Sequence, residues 1–93
     1  MSDILKQLAE VLAERKNADP ESSYVAKLHS KGLDAILKKV GEEATEVIVA
    51  ALAQSDEELA EEMADLVYHS LVLLQTRNVQ WADVINVLEK RHS

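Results

Sequence analysis

Five acidic residues stand at spacings suited to chemistry: Glu42, Glu43 and Glu46, then Glu62 and Asp65. On a helix turning 100° per residue, Glu43 and Glu46 lie about 60° apart and one turn from each other. Lys39 precedes Glu43 by one turn and Ala50 follows Glu46 by one turn. Glu42 points away from the apolar face of that helix. Further along, Glu62, Asp65 and His69 form a second stripe at i, i+3 and i+7. If the two stripes face each other, four carboxylates share one cleft and repel. A hard divalent cation such as Mg²⁺ resolves the repulsion, because it prefers oxygen ligands and keeps waters beside a substrate phosphate.

Acids at helical spacing also form ordinary solvated faces. Asp56, Glu57 and Glu58 fit that description, since negative charge is stabilised at a helix N-terminus. No Lys or Arg occurs between residues 42 and 65, so the other acids have no basic partner within that stretch. Spacing by itself leaves a metal site and a solvated acidic face both open. A di-iron bundle needs Glu-x-x-His twice with two further Glu; here the pattern occurs once, at Glu89 to His92.

The bases divide by position. Lys27, Lys31, Lys38 and Lys39 precede the acids as a cluster, which suits a polyphosphate held beside a cation. There is no Gly-rich phosphate loop, so phosphate is left to metal and lysine. His69 follows Asp65 by one turn. It either contacts a carboxylate or substrate, or is satisfied at a helix interface. His29 and His92 read as surface residues.

These residues need helices to carry them. Two Gly and one Pro in 93 residues, with no alternating β-branched runs, predict an all-α helical bundle as a single domain over 1–93. The first helix spans about Asp3 to Lys16, with Ile4, Leu5, Leu8, Val11 and Leu12 inward. Pro20 breaks it and disfavours helix at Asp19. A short helix, Ser22 to Ser30, carries Tyr24, Val25 and Leu28 and ends near Gly32. The third helix, Leu33 to Gln54, places Leu33, Ile36, Leu37, Val40, Ala44, Val47, Ile48 and Ala51 on its inward stripe. Ser55 and Glu58 form a capping-box pattern opening a fourth helix to about Gln75. Its inward residues are Leu59, Met63, Leu66, Val67, Leu71 and Leu74, with Val72 and Leu73 adding apolar surface elsewhere. A last helix, Trp81 to Arg91, uses Trp81, Val84, Ile85 and Leu88. The fourth helix is apolar nearly all round in its second half. A chain this short is not expected to enclose such a helix alone, which predicts a homodimer.

Composition removes whole classes. The net charge is −7, against a nucleic-acid polymer as partner. Residues 15–41 nonetheless carry six bases against three acids, while 42–65 carry nine acids alone. The absence of cysteine excludes disulfides, a thiolate nucleophile and Cys-ligated metal. The N-terminal stretch reads as no signal peptide, and no apolar run is long enough to span a membrane. The expected location is the cytoplasm.

The acids read as Glu42-Glu43-x-x-Glu46 followed by Glu62-x-x-Asp65. That pattern resembles the signature of the MazG-like all-α nucleoside-triphosphate pyrophosphohydrolases. The flanking text is closer still: Ser23-Tyr24-Val25-Ala26-Lys27-Leu28, Lys31-Gly32-Leu33-Asp34, Ile36 to Glu43, and Ala64-Asp65-Leu66-Val67-Tyr68-His69. Over essentially its whole length the chain resembles the phosphoribosyl-ATP pyrophosphohydrolase family of histidine biosynthesis, in its stand-alone form. The resemblance implies Mg²⁺-dependent hydrolysis of phosphoribosyl-ATP to phosphoribosyl-AMP and pyrophosphate by a dimer of helical subunits. It implies Glu43, Glu46, Glu62 and Asp65 as metal ligands and catalytic residues, with Glu42 as an outer group or water activator. Lys39, with Lys27 and Lys31, would hold phosphate, and His69 would reach the substrate. Two other functions compete: a pyrophosphohydrolase of the same superfamily that clears ordinary or damaged nucleotides, and a non-catalytic acidic dimer that binds a basic protein.

Overall fold

The computed structural model describes residues 3–92, and its secondary structure is entirely helical. Five helices follow in order: α1 (Ile4–Arg15), α2 (Tyr24–Lys31), α3 (Leu33–Ala53), α4 (Asp56–Thr76) and α5 (Trp81–His92). Each lies within two residues of the span predicted from the periodicity. The punctuation has local causes. After α1, the Asp19 carbonyl accepts the amides of Ser22 and Ser23, and its side chain accepts the Glu21 amide. Ser23 then caps α2 by accepting the Ala26 amide at 3.2 Å. One residue, Gly32 at φ +96°, both ends α2 and begins α3. A residue with a Cβ is disfavoured there, so the sharp α2–α3 corner depends on glycine.

The helices α3 and α4 are 21 residues each, joined by Gln54 and Ser55 alone. So short a connection folds them into an antiparallel hairpin, about 32 Å long at 1.5 Å per residue. The Ser55 hydroxyl oxygen accepts the Glu58 amide at 3.2 Å. The return half of the expected box differs: Glu58 accepts a hydrogen bond from the Ser55 hydroxyl rather than reaching the Ser55 amide. At α5 an acid does close back, with Asp83 accepting the Gln80 amide at 2.9 Å.

The core forms where α1, α2 and α3 meet the second half of α4. Leu12, Val25, Leu28, Ile36, Leu71 and Val72 are buried there, with Leu5, Leu8, Leu74 and Trp81 packed against them. Two inward stripes are therefore corrected. On α3 the buried residues are Ile36, Glu43 and Ala50, whereas Leu33, Leu37 and Ile48 are exposed. The packed face is turned toward the Glu43 side, because that side meets α4. On α4, Val72 is fully buried and Met63 is exposed. The apolar second half of α4 is largely covered by this chain's own helices. The largest share of uncovered apolar side chains lies instead on α3, while Ile4 and Val11 of α1 and Leu88 of α5, expected inward, are also exposed.

One bridge ties three helices. The His29 Nε2–H donates to the Gln75 Oε1 at 3.3 Å, and the Gln75 amide donates to the Ala9 carbonyl at 3.3 Å. His29 is half-buried, not a surface residue as expected, because α2 lies across the end of α4. Burial holds its pKa below the ordinary histidine value, with nearby Lys16 acting in the same sense and the Gln75 bond opposing.

Candidate active site

The hairpin brings Glu43 of α3 together with Glu62 and Asp65 of α4. One carboxylate oxygen from each lies within 4.8 Å of the others. Their environments differ: Glu43 is buried, Glu62 is half-buried and Asp65 is exposed. A turn further on, Glu46 is exposed and stands outside this group of three, as does Glu42. The buried oxygens are not all satisfied. Oε2 of Glu43 and Oε2 of Glu62 have no hydrogen-bond partner. Leaving a buried polar atom unpartnered costs roughly 1–3 kcal/mol, and more for a charged one. The oxygen-only donor set fits a hard divalent cation, which would remove that cost.

Lys39 supplies the local positive charge. Its ammonium lies 3.3 Å from Glu43 Oε1, one turn away on the same helix. Burial acts to lower the Lys39 pKa, but the bond to Glu43 and the negative charge nearby outweigh it and raise the pKa overall. Lys39 therefore stays cationic through the neutral range. Lys27 and Lys31 are exposed on α2. They stand at i+3 and i+7 from Tyr24, on the same side of that helix.

His69 is buried, 7% exposed, and both its ring nitrogens are used within the protein. Nδ1 lies 2.7 Å from the Asp65 carbonyl oxygen, which only accepts, so Nδ1 carries the proton. In the neutral ring Nε2 then accepts from the Tyr24 hydroxyl at 2.7 Å. Both ring nitrogens of His69 are thus engaged within the protein, and its ring holds the Tyr24 hydroxyl. Packing supports the bond, since the Tyr24 and His69 rings meet edge to face with centroids 5.7 Å apart.

Tyr24 is half-exposed at the site. Burial raises its phenol pKa, and the charges of Glu43, Asp65 and Glu42 add to the rise while Lys39 opposes it. Those influences put Tyr24 within electrostatic reach of Glu43, Asp65 and Glu42. The available sequence signal was its place on the Lys27–Lys31 stripe of α2.

A helical hairpin that aims unpartnered carboxylate oxygens inward, with a lysine and a tyrosine beside them, makes an all-α carboxylate cluster whose donors suit a hard cation. Comparison with known proteins gives the family. The phosphoribosyl-ATP pyrophosphohydrolase family model matches residues 5–92, and the chain belongs to that family. It is 55% identical over 87 residues to the phosphoribosyl-ATP pyrophosphatase of Erythrobacter litoralis, covering 94% of this chain and 84% of that protein. Identity to the phosphoribosyl-ATP pyrophosphatase of Geobacter sulfurreducens is 55% over 89 residues, covering 96% and 82%. The histidine biosynthesis bifunctional protein HisIE of Vibrio cholerae is 57% identical over 88 residues. There the match covers 95% of this chain but 42% of the relative, so the chain resembles one part of that longer protein. No helix among the described residues is long and apolar enough to cross a membrane.

Proposed function

We propose that this chain is a cytoplasmic, Mg²⁺-dependent homodimeric enzyme that hydrolyses phosphoribosyl-ATP to phosphoribosyl-AMP and pyrophosphate. Membership of the family supports the reaction. The observation that carries the site is the pair of buried, unpartnered oxygens on Glu43 and Glu62 beside Asp65. These three residues hold the cation, and Glu46 completes the set from the next turn of α3. Bound Mg²⁺ would screen phosphate charge and lower the pKa of a water in its shell.

The chain's own residues do the rest. Lys39 neutralises charge on the polyphosphate, with Lys27 and Lys31 drawing it toward the rim. Water attacks the α-phosphorus, the bond from that phosphorus to the α–β bridging oxygen breaks, and pyrophosphate leaves. Glu42, exposed at the rim, accepts the proton released by the water. Tyr24, its hydroxyl proton directed to His69 Nε2, offers a fixed acceptor oxygen beside the cluster.

Pyrophosphate release, assayed with phosphoribosyl-ATP beside ATP and deoxynucleoside triphosphates, tests the reading. Asp65→Asn and Glu46→Gln are each expected to lower turnover at least 100-fold with helical content intact. Near wild-type release by Asp65→Asn, or persistence in excess chelator, would sink the assignment.

A further inference from the structure

The carboxylate cluster leaves a neighbouring cavity unexplained. It has a volume of about 270 Å³ and opens between the end of α1, the turn after it, the start of α2 and α4. None of Glu43, Glu62 or Asp65 lines it; its walls include Tyr24 and Tyr68, with Arg15, Ser22 and Ser23. Tyr24 thus belongs to both places, bonding His69 at its hydroxyl and walling the cavity with its ring. Its ring and that of Tyr68 have centroids 6.3 Å apart at 35°, a continuous aromatic surface. A nucleobase stacks on such a surface without regard to its hydrogen-bonding edge.

The polar end of the cavity suits an anion. Arg15 is the last residue of α1, and no carboxylate among the described residues lies within ion-pair distance of it. It lines the cavity together with Tyr68, and its positive charge acts to lower that phenol's pKa against the burial that raises it. Ser23 Oγ accepts the Ala26 amide, so its own proton is available to a ligand. The Ser22 hydroxyl is turned to the Asp19 carbonyl at 3.3 Å, and the Asp19 carboxylate to the Glu21 amide. A guanidinium fork and a hydroxyl donor match a phosphomonoester better than any neutral group.

A substrate that is ATP bearing an extra phosphoribosyl group has both parts at the end away from its triphosphate. We propose that this cavity is the specificity subsite of the enzyme, with the purine against Tyr24 and Tyr68 and the second ribose's phosphate on Arg15 and Ser23. The inference rests on the proposed substrate and adds what separates that substrate from ordinary ATP. The triphosphate is read by the carboxylate cluster and its lysines, while the additional phosphate is read at the end of α1.

The test is calorimetric titration of metal-free protein with phosphoribosyl-AMP and, separately, AMP. Wild type, Arg15→Ala, Arg15→Lys and Lys16→Ala are compared. Lys16 removes the same charge one residue later but lines a different cavity, beside Trp81. Arg15→Ala is expected to weaken phosphoribosyl-AMP at least ten-fold and leave AMP unchanged. Arg15→Lys should fall between, because a point charge lacks the fork, and Lys16→Ala should match wild type. In turnover the Arg15→Ala loss should appear in KM rather than kcat. Unchanged phosphoribosyl-AMP affinity in Arg15→Ala, an equal loss for AMP, or no wild-type binding of phosphoribosyl-AMP overturns the subsite. Wild type that releases no pyrophosphate from phosphoribosyl-ATP overturns the proposed reaction instead, so the two failures are distinct.

Discussion

A carboxylate oxygen buried without a partner is a local debt that the fold must recover, and Glu43 and Glu62 each carry one. The other oxygen of Glu43 is partnered: Oε1 meets Lys39 at 3.3 Å. The second oxygens account for what the apo protein and the loaded protein should each do on heating. Glu62→Gln replaces an acceptor-only group with an amide that can donate to Glu43, so the metal-free variant should melt at or above wild type. Mg²⁺ at about 100 times its Kd should stabilise wild type by about 2.7 kcal/mol. For a domain of this size that is on the order of 10 °C in Tm. The variant should show little of that rise in a thermal melt. An equal Mg²⁺-dependent shift in Glu62→Gln would remove it from the ligand set. At the same scale the stripe Glu62, Asp65, His69 was legible as a unit. Its division of labour was not, because the bond from Tyr24 to His69 joins residues 45 apart in the chain.

Among the elements, α2 has the largest functional leverage for its eight residues. It presents Tyr24 to the cluster, sets His29 against Gln75, and is held to α3 by a single glycine. Gly32 at φ +96°, ψ 177° occupies a region that side chains with a Cβ rarely enter. An added Cβ would meet nothing within 4 Å, so the cost of Gly32→Ala is backbone strain alone. The expected loss is about 1–3 kcal/mol in a denaturant titration, with activity falling further than stability as Tyr24 is displaced. A variant as stable as wild type would show that the corner relaxes freely. Helix limits, the Ser55 cap and the two-residue hairpin connection followed from periodicity, Pro20, Gly32 and Ser55, whereas the Ser23 cap of α2 did not. The rotation of α3 did not, since its Glu43 face and its Leu33–Ile48 face are both continuous along the helix.

At the scale of the whole molecule the single chain is open. Its radius of gyration is 14.3 Å, where a compact chain of this length has about 12 Å. It exposes 6814 Å², against about 5,400 Å² for a compact monomer of its mass. Much of the exposed apolar surface is on α3, where Leu52 is 82% and Ile48 60% exposed, with Leu33, Leu37 and Val49 also uncovered. A second copy of the chain is the partner proposed for that face. Wild type is expected to sediment at twice the 10.3 kDa chain mass at micromolar concentration, and Ile48→Glu with Leu52→Glu should reduce it to the monomer. A wild-type monomer, or a variant that still dimerises, contradicts this use of the face.

The sequence by itself determined the five helices, the acids that the family signature marks, and the family to which the chain belongs. Those follow from periods of 3.6, from backbone-restricting residues, and from side-chain types at fixed spacing, all local properties. Tertiary structure decided which face of α3 is inside, that Glu43 meets Glu62 and Asp65 ahead of Glu46, and that His69 bonds Tyr24. It also decided that Arg15 and Tyr68 share a cavity with Tyr24. Each of these depends on how one helix is rotated against another, and helical spacing leaves that rotation free until the helices pack.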